Sequence, residues 1–278
     1  MIKKALTKIV SPAKLNLFLH ILERRQDGYH NIQTLFQLVD VGDTMTFSKN
    51  TIGKIRVFVE NLDIPDNQNL VFRAAKSIHR PGLGADITLH KNIPTGAGLG
   101  GGSSNAASTL VVLNYLWNLN IDKMELARIG SKLGADVPIF VLGKSALATG
   151  IGDKLTAVDI SRKWYVIIFP NCHVSTSQIF SREELTRNST PITMSDFLAG
   201  TSRNDCQVVV AKLFKEVKEA LEWLGGYGDS RLTGTGGAVF AAFDSEFEAK
   251  NVVREAPENW WTVVARGINR SPLVDFLL

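Results

Sequence analysis

The feature that most constrains this chain is a cluster of glycines between an apolar strand pattern and a long helical pattern. The chain has 23 glycines, and Gly96, Gly98, Gly100, Gly101 and Gly102 fall within one short segment. Neighbouring glycines let backbone amides turn toward an anion, because no Cβ atom blocks the approach. The following helix adds unpaired N–H groups and the positive end of its dipole. The segment therefore predicts a phosphate-binding loop, with a structural linker as the alternative.

The predicted loop can be compared with two other phosphate motifs. Its members are Pro94, Thr95, Gly96, Ala97, Gly98, Leu99, Gly100, Gly101, Gly102, Ser103 and Ser104. The two serine hydroxyls can cap the helix, bind phosphate oxygens or ligate a magnesium ion. The glycine spacing also matches a dinucleotide-binding fingerprint, but Pro94 separates it from the strand, and the acid expected about 20 residues further on is missing. Gly143-Lys144-Ser145 ends like a P-loop, yet Pro138 occupies the position of that motif's first glycine.

Composition limits the classes of partner. The chain has 278 residues, 45% of them hydrophobic, and its 31 basic and 27 acidic side chains give a net charge of +4. The apolar content excludes a wholly disordered chain, and the basic residues are too scattered to form a nucleic-acid surface. The uncharged stretch Asn92–Ile121 contains glycines and asparagines, so it is not predicted to span a membrane. The slight basic excess favours an anionic partner.

The first residues and the two cysteines favour a cytoplasmic protein. Met1–Val10 has three lysines but no apolar segment behind them, so no signal peptide is predicted. Cys172 and Cys206 belong to no CxxC motif and no cysteine–histidine cluster. We therefore expect reduced structural thiols and no zinc site.

The spacing of apolar residues predicts an α+β protein. Ala13–Leu19 alternates, with Lys14 and Asn16 on one face, and Pro12 is expected at the edge or the start of this strand. Further strands are predicted at Gln33–Val39, Thr44–Phe47, Ala85–His90, Trp164–Phe169, Ala238–Phe243 and Trp261–Gly267. Helices are predicted at Asn69–His79, after the glycine loop, at Met124–Leu133 with Gly134 as its cap, near Asp205–Phe214, at Lys215–Leu224 and at Glu246–Glu255.

The helix after the glycine loop is expected to be buried, and the chain is expected to form two domains. Leu110, Leu113, Trp117 and Ile121 recur at spacings of three and four, which predicts a stripe that faces a core. A polar stretch precedes the apolar strand at 164–169, so the boundary is placed near residue 155. The predicted domains are therefore 1–155 and 156–278.

Two charged residues in apolar surroundings are the candidate catalytic groups. Lys14 lies in the middle of an apolar strand, where an exposed sheet edge is the usual explanation, and Asp136 precedes the apolar segment Ile139–Leu142. A buried acid is either paired structurally or functional, because an unpaired buried charge is costly. A Lys–Asp pair near a phosphate loop suits the phosphorylation of an alcohol. The acid accepts or orients the hydroxyl proton, and the cation stabilises the alkoxide and the developing phosphoryl charge.

A second glycine cluster lies near the end of the chain. The segment Arg231–Gly237 contains three glycines and two threonines ahead of a predicted strand. It is either a simple turn into the strand or a second set of amides and hydroxyls that faces an anion.

Five segments together resemble the GHMP kinase superfamily. They are Ser-Pro-Ala-Lys-Leu-Asn-Leu at 11–17, Asp-Gly-Tyr-His at 27–30, Gly-Gly-Gly-Ser-Ser-Asn-Ala-Ala at 100–107, Leu-Gly-Ala-Asp-Val-Pro at 133–138 and Arg-Leu-Thr-Gly-Thr-Gly at 231–236. The resemblance extends from Ser11 to Leu273, and it is closest to the branch that phosphorylates the 2-hydroxyl of 4-diphosphocytidyl-2-C-methyl-D-erythritol. It implies a ribosomal-protein-S5-like N-terminal domain, a ferredoxin-like C-terminal domain, and ATP and Mg²⁺ as cofactors.

The resemblance also implies roles for individual residues. The catalytic pair would be Lys14 and Asp136, and the loop Pro94–Ser104 would wrap the ATP phosphates. The cytosine would be surrounded by Tyr29, His30 and Phe180. Asn16 and Thr176 would lie near the substrate, and Gly234–Gly237 would lie beside the site. In this arrangement the aromatic rings stack on the base and His30 forms a hydrogen bond. A GHMP kinase for mevalonate or homoserine and a non-catalytic nucleotide-binding relative are the alternatives. The metal ligands and the oligomeric state are left open.

Overall fold

Two long antiparallel strands form the centre of the computed structural model, which describes residues 6–60 and 64–277. Strand β1 is Thr7–Arg24 and strand β2 is His30–Lys49. The two strands that the sequence predicts within 33–47 are one strand, whose register with β1 shifts between Pro12 and Ala13. Pro12 is therefore not at the start of β1, but the predicted edge position is confirmed, because β2 is the one described strand that pairs with β1. Pro12 also lies at a bulge. A bulge tolerates proline because the ladder is already interrupted there.

The remaining elements follow the predicted order, with several additions. The strands are β3 (Ile55–Val59), β4 (Ala85–His90), β5 (Ala146–Thr149), β6 (Lys154–Ala157), β7 (Trp164–Phe169), β8 (Arg231–Leu232), β9 (Val239–Phe243) and β10 (Trp261–Ile268). The helices are α1 (Leu70–Ile78), α2 (Gly101–Trp117), α3 (Lys123–Ser131), α4 (Val137–Leu142), α5 (Thr176–Phe180), α6 (Met194–Leu198), α7 (Gln207–Leu213), α8 (Lys215–Gly225) and α9 (Glu246–Arg254), followed by a 3₁₀ helix at Pro272–Phe276.

One ten-stranded sheet connects the two halves of the chain. Its main path runs β3-β4-β2-β10-β7-β9-β8, while β1 pairs with β2, and β5 pairs with β2 and β6. Strand β10 is the connection, because it pairs with β7 over 261–266 and with β2 at Gly267 and Ile268. Mixed helices and strands confirm the predicted α+β class. The boundary predicted near residue 155 stays a prediction, and strand β6 crosses that position.

Helix α2 is buried on nearly every side. Leu110, Leu113 and Trp117 all lie in the core, as the stripe predicts. Ile121 lies beyond the end of the helix, because Asn118 adopts a left-handed conformation with φ 51° and ends α2. Gly134 does not cap α3 either, since that helix ends at Ser131 with Lys132 as its cap.

Three hydrophobic clusters hold the fold together, and each of them contains residues of both halves. The first packs α1–α4 on the N-terminal strands, and the second packs α7–α9 on the C-terminal strands. The third combines Leu15 of β1 and Tyr165 of β7 with Ala97 and Leu99 of the glycine loop. The loop is therefore anchored by apolar side chains from both halves. No helix within 6–60 and 64–277 is long and apolar enough to cross a membrane.

Candidate active site

The glycine loop changes direction at alternate residues before it enters α2. Gly96, Gly98 and Gly100 have φ values of 78°, 81° and 73°, a region that L side chains rarely adopt. Gly100 is the N-cap of α2 and supplies no side-chain hydrogen bond. The amides of the first turn of α2 therefore have no side-chain cap, and this helix end suits an anion.

The second glycine cluster packs directly against the first. A Cβ atom on Gly236 would lie 2.4 Å from both the N and Cα atoms of Gly98. The amide of Ala238 donates to the carbonyl of Ala97 at 3.0 Å, which ties the two segments together. The backbones approach so closely that neither glycine can carry a side chain without displacing the other.

Lys14 faces the interior and is not at an exposed edge. Only 3% of its surface is exposed. Its Nζ lies 2.5 Å from Oδ1 of Asn16, 3.4 Å from Oδ2 of Asp136 and 5.5 Å from the centre of the Phe36 ring. Its backbone amide donates to the carbonyl of Leu99 at 3.0 Å, so the same residue fixes one end of the glycine loop.

Asp136 is more accessible than its apolar sequence context suggests. It precedes α4 as the N-cap, but its side chain makes no capping hydrogen bond. The side chain is 37% exposed and pairs with Lys14. A carboxylate that is not engaged by the helix amides, and that lies beside a buried ammonium, is free to accept a proton from a substrate hydroxyl.

Aromatic residues and a histidine line another part of the site. The rings of His30 and Phe180 lie 4.9 Å apart, whereas Tyr29 is 63% exposed at the turn before β2. Nε of Arg187 donates to Nε2 of His30 at 3.1 Å. Burial lowers the pKa of His30 below its ordinary value, and Arg187 lowers it further. His30 is therefore neutral near neutral pH.

A single cavity of about 1230 Å³ brings these residues together. Of the predicted site residues, those that line it are Lys14, Asn16, Tyr29, His30, Pro94, Thr95, Gly96, Ala97, Gly98, Leu99, Gly100, Gly101, Gly102, Ser103, Asp136, Thr176 and Phe180. Ser104 does not line the cavity; it is fully buried, and its Oγ has no hydrogen-bond partner in the described part of the chain. Thr176 and Thr235 share a hydrogen bond of 2.7 Å at the wall.

Several wall residues have no signal in the sequence. Arg24, Lys91 and His173 line the cavity, together with Gln68 and Asn69 at the start of α1. Each of them is a polar residue near the end of an element or in a connecting loop. Such residues are common on any surface, so the sequence alone cannot select them.

A buried carboxylate behind the loop is a further residue that the sequence analysis missed. Asp43 is fully buried in β2 and accepts from the amides of Asn92 at 2.7 Å and Ile93 at 2.8 Å. It also accepts from Nδ2 of Asn105 on α2 at 2.8 Å and pairs with Lys91. One carboxylate therefore holds both the entry to the glycine loop and the helix that follows it.

Comparisons with known proteins identify a family. The family model for the GHMP kinases N terminal domain matches residues 69–144, and the model for the GHMP kinases C terminal domain matches 183–260. A 4-diphosphocytidyl-2-C-methyl-D-erythritol kinase of Methylococcus capsulatus is 48% identical over 274 residues, covering 97% of this chain and 94% of its own length. One of Shewanella denitrificans is 47% identical and covers 96% and 95%.

Solved structures give the same result at the level of the fold. A crystal structure of 4-(cytidine 5'-diphospho)-2C-methyl-D-erythritol kinase has a TM-score of 0.79 and 29% identity, and it covers 94% of this chain and 100% of its own. The Methanococcus jannaschii mevalonate kinase has a TM-score of 0.66 and 16% identity, covering 96% and 99%. The second likeness shows the fold alone.

Proposed function

The chain belongs to the GHMP kinase family, and we propose that it transfers the γ-phosphoryl group of ATP to the 2-hydroxyl of 4-diphosphocytidyl-2-C-methyl-D-erythritol. Membership in a kinase family implies the use of ATP. One observation carries the proposal: the Lys14–Asp136 pair and the His30–Phe180 pair line the same cavity as the glycine loop. A phosphate donor and a nucleotide-linked alcohol can therefore bind side by side.

Each residue has a separate task in the proposed transfer. Asp136 accepts the hydroxyl proton, or orients it, while the substrate oxygen forms a bond to the γ-phosphorus. The bond from that phosphorus to the bridging oxygen breaks, and ADP leaves with the electron pair. Lys14 stabilises the developing negative charge, and the loop amides hold the phosphates in line. The close contact between the two glycine segments keeps the donor's position fixed.

Mg²⁺ is part of the proposal, and the residues present fit it as a partner of ATP. No group of three or more His, Cys, Asp or Glu within 6–60 and 64–277 could hold a metal ion. Mg²⁺ commonly takes most of its ligands from substrate phosphates and water. Ser103, in the first turn of α2, lines the cavity, and its hydroxyl would supply one oxygen ligand. When bound together with ATP, Mg²⁺ would offset the negative charge of the phosphates.

The nucleoside end of the substrate would occupy the aromatic part of the cavity. Phe180 and Tyr29 offer ring faces for stacking on the cytosine, and His30 offers a hydrogen bond. Asn16, which bridges Lys14 and Thr34, would orient the substrate beside the catalytic pair. Thr176 would support the same region through its bond to Thr235.

The substitution Asp136→Asn tests the proposed chemistry. The amide keeps the shape of the side chain but cannot accept the proton, so turnover should fall by about 10²–10⁴-fold while ATP binding stays close to wild type. Asp122→Asn is the matched control, because Asp122 caps α3 away from the cavity and asparagine caps equally well. Formation of ADP is followed in a coupled assay. Near-normal turnover of Asp136→Asn would contradict the proposed role of Asp136 in handling the hydroxyl proton.

A comparison of substrates distinguishes the proposed activity from that of a mevalonate or homoserine kinase. The same assay with mevalonate or homoserine in place of the cytidine substrate should give little turnover, because neither molecule can use the aromatic part of the cavity. Preference for either one would favour the sister kinases. The non-catalytic alternative is disfavoured by the presence of both Lys14 and Asp136. A cytoplasmic location stays a prediction from the sequence.

A further inference from the structure

Arg187 lies behind the aromatic part of the cavity and connects it to the loop after α5. Its Nη2 donates to the carbonyls of Phe180 at 3.0 Å and Arg182 at 2.6 Å. Its Nη1 donates to the carbonyls of Leu185 at 3.1 Å and Glu183 at 3.4 Å. Its Nε donates to Nε2 of His30 at 3.1 Å. The guanidinium is thus held from one side by backbone carbonyls and presents its remaining N–H to the imidazole.

This contact determines which nitrogen of His30 carries the proton. A guanidinium has only donors, so Nε2 of His30 must be the acceptor and the ring proton must be on Nδ1. Nδ1 has no hydrogen-bond partner among the residues that the structure describes, and His30 lines the cavity. The ring is also neutral, since burial and the charges of Arg187 and Arg24 lower its pKa. His30 therefore offers a donor, and no acceptor, to a ligand.

We infer that Arg187 is a positioning residue that selects cytosine over uracil by fixing the Nδ1–H tautomer of His30. The inference rests on the proposed function, in which His30 forms a hydrogen bond to the base. N3 of cytosine is an acceptor and pairs with Nδ1–H, whereas N3 of uracil carries a hydrogen and would oppose a second donor. A site built to donate rejects the base that cannot accept, because both donors then lose their partners.

The tautomer can be measured without any substrate. Two-bond ¹H–¹⁵N spectra of the histidine side chains distinguish Nδ1–H from Nε2–H, and His30→Gln identifies the signal. The wild-type protein should show Nδ1–H at pH 7.5. Arg187→Met removes the donor with little change in length and should give a mixture of the two tautomers. Arg187→Lys retains a donor and should keep Nδ1–H. An Nε2–H signal in the wild-type protein would overturn the inference.

Kinetics with two substrates then test selectivity. The wild-type protein should prefer the cytidine substrate over its uridine analogue by at least about tenfold in kcat/KM. Arg187→Met should reduce that ratio to within threefold, mainly through KM, with the KM for ATP unchanged. Arg187→Lys should restore most of it. Equal loss of selectivity in both variants would mean that the carbonyl contacts, and not the proton on His30, matter.

Two further results keep the conclusions separate. Arg56→Met is the control for loss of an arginine, because Arg56 lies on the edge strand β3, outside the cavity wall, and pairs with Asp86 of β4. The ratio of kcat/KM for the cytidine and uridine substrates should equal the wild-type ratio in this variant. If neither nucleotide substrate is phosphorylated, the proposed function fails, while the spectra still report the coupling of Arg187 to His30. If Arg187→Met does not fold, the wild-type and Arg187→Lys spectra decide.

Discussion

A single methyl group on the second glycine cluster should disable the first. Gly236 approaches the glycine loop so closely that the Cβ of Gly236→Ala would lie 2.4 Å from the N and Cα atoms of Gly98 and 2.7 Å from the carbonyl carbon of Ala97. All three are backbone atoms, so no rotamer change can relieve the contact. The loop itself must move, or the turn between β8 and β9 that carries Gly236 must move away from it.

The expected size of the effect follows from that distance. Ordinary carbon contacts begin at about 3.5 Å, so the two backbones must separate by roughly 1 Å. Overpacking of this kind typically costs about 1–3 kcal/mol of unfolding free energy. A displacement of about 1 Å in a group that positions a substrate can cost about 100-fold in rate. We therefore expect a roughly 100-fold loss of kcat/KM for ATP, much larger than the loss of stability would produce.

The assay is the coupled measurement of ADP formation, together with thermal unfolding. Gly228→Ala is the matched control, because its nearest neighbour would be the Cβ of Ala241 at an ordinary 3.6 Å. That variant should keep its activity. If Gly236→Ala turned over within threefold of the wild-type rate while remaining folded, the close contact would not set the position of the phosphate loop.

Two further predictions concern buried titratable groups. Asp43→Asn places an amide against Lys91 and Asn105 and breaks a buried charge network. The variant should lose about 3–5 kcal/mol of unfolding free energy and bind ATP more weakly. A melting temperature within about 2 °C of wild type would contradict this prediction. Burial lowers the pKa of His20 and of His30 below 6.5, so the unfolded chain binds protons before the folded one does. The free energy of unfolding should therefore be highest above pH 6.5 and fall as the pH falls below it, and urea titrations of a variant with glutamine at both positions should show a flatter dependence.

The parts of the site that the sequence reveals are those with local causes. Gly96, Gly98 and Gly100 need positive φ, and this requirement leaves a glycine in the sequence wherever the backbone turns. Lys14 is visible because a charge inside an apolar strand violates the strand's own pattern. Asp136 is visible for the same reason, although its side chain is more exposed than its neighbours suggest.

The parts that the sequence hides depend on contacts between distant segments. Asp43 looks like a turn residue after Gly42, and only the continuous strand β2 and the packing of α2 bring Asn92 and Asn105 to it. Arg187 lies in a polar loop, and nothing near it in sequence indicates that it meets His30, 157 positions away. Helix α5 is also missed, because a helix of five residues carries too short a pattern.

The position of the glycine loop depends on residues from both halves of the chain. Leu99 accepts from the amide of Lys14 in β1, and Ala97 accepts from the amide of Ala238 before β9. Thr233 accepts from the amide of Asn16 at 2.9 Å, so the second glycine cluster also holds the strand that carries Lys14. Since these contacts link the glycine loop, Lys14 and the C-terminal cluster, the N-terminal half alone lacks the restraints that set the distance between the glycine loop and Asp136. The site is a property of the joined sheet and not of either half.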